Sequence, residues 1–216
     1  MESAPLTEEF KVYPKRFLIV FLFCLSQFMI SCLINTLTPI AKFLEQIYDQ
    51  DPLVVNSGVL LFALMYPVFT FPAAYLIDTY GTRTSLAVGC ALGLIGSGLR
   101  MLVNESFVWV VVGQVIAGIG RPFILNCQAK ISANWFSAEK RASVTQLLTL
   151  VLNVSLIIGI FIPGLVFGKY DIDSDTDKSI GRGHTFDLMF VEFILAVVCL
   201  IPNMIFQQSK PPTPPS

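Results

Sequence analysis

Leu76-Ile77-Asp78-Thr79-Tyr80-Gly81-Thr82-Arg83 is a short polar turn set between two long apolar runs. Gly81 tolerates the backbone of a tight reversal. Asp78 and Arg83 stand one on each side of it, close enough to pair at a membrane surface. No charge falls between Asp51 and Asp78, and none between Arg83 and Arg100. A helix needs roughly 20 apolar residues to cross about 30 Å of hydrocarbon; the first run exceeds that length, and the second reaches it by continuing past Arg100 to Asn104. The turn therefore reads as a hairpin between two membrane-spanning helices.

The rest of the chain has the same character. Of its 216 residues, 54% are hydrophobic and 13% charged, with 18 Phe and a mean hydropathy of +0.70. Soluble domains carry about 25% charged residues, so a water-facing surface of this size cannot be covered. The net charge of -1 provides no basic field for nucleic acid. The five cysteines, Cys24, Cys32, Cys90, Cys127 and Cys199, fall in apolar runs and make neither a disulfide framework nor a metal set. No cofactor is implied, and no Ser/His/Asp or Cys/His set suggests an enzyme.

Charged residues mark out six helices, at about 17–43, 54–77, 84–104, 107–129, 141–168 and 186–207, within a bundle over 17–208. Residues 1–16 form a cytosolic tail. Residues 209–216, Ser-Lys-Pro-Pro-Thr-Pro-Pro-Ser, begin a linker, because proline cannot continue a helix. With the N-terminus in the cytosol, cytosolic segments hold eight basic residues: Lys11, Lys15, Arg16, Arg83, Lys130, Lys140, Arg141 and Lys210. The other side holds five: Lys42, Arg100, Lys169, Lys178 and Arg182. The positive-inside rule then places both termini in the cytosol. Asn104-Glu105-Ser106, a glycosylation sequon, falls on the opposite side. Asp171-x-Asp173-x-Asp175-x-Asp177 starts like a calcium loop but lacks its turn glycine and closing glutamate, and reads as a solvated acidic loop.

Polar residues inside the spans are the candidates for function. In the first helix Gln27, Ser31, Asn35 and Thr38 share one face; in the fourth, Gln114, Gly118, Arg121 and Gln128; in the fifth, Gln146, Thr149 and Asn153. Such stripes serve either interhelical hydrogen bonding or a solute cavity. Arg121 is the sharpest of them, since a mid-span arginine is costly and marks a functional site by default. It would bind an anionic group or neutralise a buried acid, with Glu192 in the sixth helix as its partner or as a proton carrier. Gly89, Gly93 and Gly96 in the third helix let neighbouring helices approach closely.

Several strings together carry a resemblance. They include Asn35-Thr36-x-x-Pro39-Ile40, Asp78-x-x-Gly81-x-Arg83, Gly96-x-Gly98-Leu99-Arg100, Gly113-Gln114, Trp135-Phe136-Ser137-Ala138-Glu139-Lys140-Arg141-Ala142 and Glu192-Phe193. The chain resembles the N-terminal half of a major facilitator. Within that superfamily it is similar to the haem and choline transporters related to the feline leukaemia virus subgroup C receptor, above all their lysosomal branch.

The resemblance implies an all-α membrane protein: six transmembrane helices, built as a 3+3 inverted repeat, forming one half of a twelve-helix transporter. It implies transport of a small organic solute of the pyridoxine-, choline- or haem-related class by alternating access, with proton coupling, in a lysosomal or plasma membrane. Partners would be the lipid bilayer, the solute and a second six-helix half, in the same or a separate chain. Asp78, Gly81 and Arg83 would form the gating loop. Ile34 stands where the choline transporters place a tryptophan, and Arg121 where a small or neutral residue is usual, which together favour an anionic or zwitterionic solute. The competing reading is a non-transporting membrane subunit or regulator.

Overall fold

A computed structural model describes residues 13–167 and 175–212. The expectations for residues 1–12, for most of the acidic stretch at 168–174 and for 213–216 lie outside the described residues. The described residues form helices α1 (Lys15–Asn35), α2 (Ala41–Tyr48), α3 (Pro52–Arg100), α4 (Val108–Leu125), α5 (Cys127–Trp135), α6 (Ala138–Phe167) and α7 (Asp175–Phe206), with a 3-10 turn at Met101–Asn104 after α3. A helix satisfies its own backbone polar groups, which lipid cannot do. Among the described residues five helical stretches are long and apolar enough to cross a membrane: α1, α3 with its 3-10 turn, α4 with α5, α6, and α7.

The third helix decides the topology. At 49 residues and about 1.5 Å per residue it is more than twice as long as a bilayer is thick. Its regular backbone breaks at Gly81, where φ is 87° and ψ 173°. Contacts with α4 and α5 reverse there. Gly58 lies by Gln114 and Gly118 lies by Phe62, and Lys130 reaches Ile77 and Asp78. Beyond the break, Ser85 donates to Phe123, Gly120 lies by Gly89, and Gly113 by Gly96. The two halves of α3 therefore run in opposite directions along α4 and α5, folded about the Gly81 turn.

Small residues set the closeness of that packing. A Cβ on Gly96 would lie 2.6 Å from the Gly113 carbonyl oxygen, and one on Gly120 would lie 2.8 Å from that of Gly89. Backbone meets backbone there, and neither side has room to yield. Ile30, Leu33, Phe62, Leu86 and Ile124 belong to the core around which α1, α3, α4 and α7 gather.

Several boundaries differ from the expected ones. The first helix stops at Asn35 rather than continuing to residue 43, because Pro39 disfavours helix in the residue before it. The chain restarts as α2, which buries Leu44 and Ile47 and ends with Asp49 in a left-handed conformation. The expected fourth span divides at Asn126 into α4 and α5. The last helix starts at Asp175, eleven residues ahead of the expected start at 186. Asp177 falls in its first turn, where the helix dipole favours acids. His184 and Arg182 are therefore helical rather than loop residues.

Candidate functional site

The densest polar cluster sits where α1 ends. A helix leaves its last carbonyls without intrahelical partners, and here other helices supply them. The Leu33 carbonyl accepts from Gln114 Nε2 at 2.9 Å and from Arg100 Nη1 at 3.3 Å. The same Arg100 nitrogen lies 2.8 Å from Glu192 Oε2, with the two side chains 0% and 6% exposed. Thr36 Oγ1 donates to the other carboxylate oxygen of Glu192. Arg100 and Glu192 are 92 positions apart in sequence, yet they tie α3 and α7 to the end of α1.

This corrects the sequence reading of Glu192. Its partner is Arg100, not Arg121, and Arg100 is buried in the helix rather than lying in an outer loop. Glu192 is also seventeen residues into α7. Beside its carboxylate lies a small, partly open cavity of about 100 Å³, lined by Cys32, Thr36, Gly159, Pro163 and Val191.

A second chain of polar contacts links α1, α5 and α6. Gln27 Nε2 donates to Gln128 Oε1 at 3.4 Å. Gln128 Nε2 donates to the Thr145 carbonyl at 2.8 Å and to Thr149 Oγ1 at 2.7 Å. The remaining stripe residues divide. Ser31 and Asn35 bond back to carbonyls of their own helix, at 2.7 and 3.1 Å. Thr38 lies exposed beyond the end of α1, and Gln146 and Asn153 are exposed on α6. Gln114 turns to α1 and Gly118 packs on the Phe62 backbone, so neither joins Arg121.

Arg121 is half-buried and has a different kind of partner. Its guanidinium lies 5.3 Å from the centre of the Tyr66 ring and 5.9 Å from that of Phe62. Both distances suit cation–π attraction. Among the described residues no carboxylate lies within 4 Å of it. Tyr66 donates through its hydroxyl to Asn126 Oδ1 at 3.1 Å, so the residue at the α4–α5 break fixes the ring that carries the guanidinium.

At the Gly81 turn, Asp78 and Arg83 do not pair with each other, contrary to expectation. Asp78 takes Lys130 of α5 at 2.6 Å. Arg83 donates through Nη2 to the Met204 carbonyl near the end of α7 at 2.7 Å. The glycine turn swings the two side chains toward different helices. Ser209 closes the cluster: its Oγ accepts from the Arg83 backbone N–H at 3.1 Å, and its carbonyl accepts from Asn134 Nδ2 at 2.9 Å. A Cβ on Gly81 would meet that Oγ at 2.5 Å.

At the other end of the bundle Lys178 of α7 contacts Asp49 at 2.8 Å. The hydrogen bond and charge of that ammonium hold the Asp49 carboxyl below its usual range. Tyr48 donates to Asn104 Oδ1, in the sequon, at 2.9 Å.

Sequence reasoning missed Arg100, Thr36, Tyr66, Lys130 and Ser209. Only Arg100 carried a signal. It follows Gly96 and Ser97 by one helical turn, so it continues the packed face of α3.

Comparison with known proteins agrees with this architecture. Residues 18–215 match the family described as Major Facilitator Superfamily. The chain is similar to Solute carrier family 49 member A3 of Danio rerio, 27% identical over 99% of this chain and 44% of the relative. It is also similar to the Choline/ethanolamine transporter FLVCR1 of Mus musculus, 23% identical over 94% of this chain and 38% of the relative. A Solute carrier family 49 member 4 homolog of Xenopus tropicalis is 25% identical over 95% of this chain and 47% of the relative. The chain spans less than half the length of these relatives.

Proposed function

This chain belongs to the major facilitator superfamily, and from that premise we propose that it moves a small organic solute across a membrane by alternating access. In this reading α3 counts as two passes about Gly81, which makes six spans and a 3+3 inverted repeat. A second six-helix half, from the same or another chain, completes the pathway. Both termini lie in the cytosol, and the membrane is lysosomal or plasma. The observation that carries the reading is the convergence of Gln27, Gln128 and Thr149 from three helices, with Gln146 and Asn153 exposed along the same helix as Thr149. A polar stripe facing lipid is costly, whereas one lining a solute path is used.

The solute is of the pyridoxine-, choline- or haem-related class, and Arg121 favours one that bears an acidic group. Glu192 is the proton carrier: it is buried in an ion pair, borders a cavity, and releases Arg100 when neutralised. Asp78, Gly81 and Arg83 gate the cytosolic end, acting through Lys130 and Met204.

The test is uptake of labelled pyridoxine, choline and the organic anion 3,3-dimethylbutyrate by vesicles from cells expressing the full chain, with and without an inward proton gradient. Transport predicts uptake that rises with the gradient, falls on Gln128→Ala, and loses its gradient dependence on Glu192→Gln. Correct membrane insertion with no uptake of any of the three would instead favour a non-transporting subunit or regulator.

A further inference from the structure

We infer that Arg121 sets the charge of the ligand by filling an aromatic site with the protein's own cation, so that an organic anion binds there and an organic cation is excluded. The inference rests on the reading above only in taking this site as part of the solute path.

Phe62 and Tyr66 are one helical turn apart on α3 and present two rings to one charged group. Two such faces about 6 Å or less from a cation are the chemistry by which proteins hold organic ammonium groups. Here the place is taken: the Arg121 guanidinium lies 5.3 and 5.9 Å from the two ring centres. A free ammonium ligand would have to displace it and would meet its positive charge.

The guanidinium is also left with unspent capacity. It has five N–H donors in a planar fork suited to a carboxylate or phosphate. Among the described residues no carboxylate takes those N–H groups. The contrast lies inside the same molecule. Arg100, also in an apolar helix, has Glu192 at 2.8 Å and is fully buried. Arg121 is half-buried and held by neutral rings, so it presents its charge to whatever enters. Tyr66 is kept in place by Asn126, which makes the ring pair a fixed feature rather than a chance contact.

The experiment uses two probes of similar shape and opposite charge: choline, and 3,3-dimethylbutyrate, in which carbon replaces nitrogen and a carboxylate replaces the terminal CH2OH group. Binding of each labelled probe to the full chain in lipid nanodiscs is measured for the wild type, Arg121→Lys, Arg121→Gln and Arg121→Gln/Tyr66→Leu. The wild type should prefer the carboxylate by about tenfold or more. Arg121→Lys should keep most of that preference. Arg121→Gln should lose it and bind choline more tightly than the wild type does, and adding Tyr66→Leu should remove the gain. A wild type that binds both probes equally, binds choline better or binds neither would overturn the inference. So would an Arg121→Gln variant that elutes and melts like the wild type yet keeps its preference. Vesicle uptake separates the two claims. Lost uptake with the charge preference intact would sink transport and leave Arg121 in its role. Intact uptake that is indifferent to Arg121→Gln would do the reverse.

Discussion

Arg100 and Arg121 are both arginines in apolar helices, and the fold treats them differently. Arg100 is sealed at the junction of α1, α3 and α7, opposite Glu192 and the Leu33 carbonyl. Arg121 lies half-open over two aromatic rings, with no acid beside it among the described residues. A buried charge without its partner is strongly unfavourable, while a charge on an aromatic face keeps part of its hydration and its reach. The difference teaches that the same residue type can lock three helices in one place and wait for a ligand in another. What distinguishes the two is the carboxylate, supplied from far along the chain.

The hardest way to break the lock is to remove one of its charges. Arg100→Leu or Glu192→Leu leaves the other buried and unpaired and should cost about 3–5 kcal/mol. Thermal unfolding in detergent would register this as a large fall in midpoint or as failure to purify in folded form. The double variant Arg100→Leu/Glu192→Leu should recover much of the loss. If it is no better than the singles, the pair is not what makes them unstable.

Gln114→Ala probes the same junction more gently. It removes one of the two donors on the Leu33 carbonyl but leaves Arg100 in place, and should cost about 1–2 kcal/mol. A loss as large as that of Arg100→Leu would mean that Gln114, and not the ion pair, holds the end of α1.

At the open arginine, Arg121→Gln gives up two ring contacts and should lower stability by only about 0.5–1 kcal/mol. Its effect belongs in ligand binding. Destabilisation comparable to the Arg100 variants would erase the distinction between the two sites.

The exposed pair Asp49–Lys178 marks the weak limit of the comparison. Because Lys178 lowers the Asp49 carboxyl in the folded protein, the pair's contribution is fully present above the unfolded pKa. It is lost only as pH falls through the lowered folded value. The small stability difference between wild type and Asp49→Asn should therefore be unchanged from pH 7 to about pH 5 and shrink below about pH 4. A difference that instead disappears between pH 7 and 5 would point to another group.

Much of this was legible along the chain. Charge-free runs located the spans, and the Asp78–Arg83 stretch located the reversal, since a glycine between two apolar runs has few other readings. Spacing alone put Gln27 and Ser31 on one helix face. It could not say that Ser31 would bond back to its own helix while Gln27 reached Gln128. The pairing of Asp78 with Arg83 was expected from their nearness in sequence and failed for the same reason. A tight turn directs its two flanks to different neighbours, here Lys130 and Met204.

What the sequence determined by itself is the solvent this protein lives in and which long stretches are helical, though not where each helix begins and ends. Both follow from transfer free energy and helix periodicity, which are properties of short stretches. Only the tertiary structure decided which arginine meets Glu192. Electrostatic partners are chosen by distance in space, and helices α1, α3 and α7 bring Thr36, Arg100 and Glu192 together across most of the length of the chain.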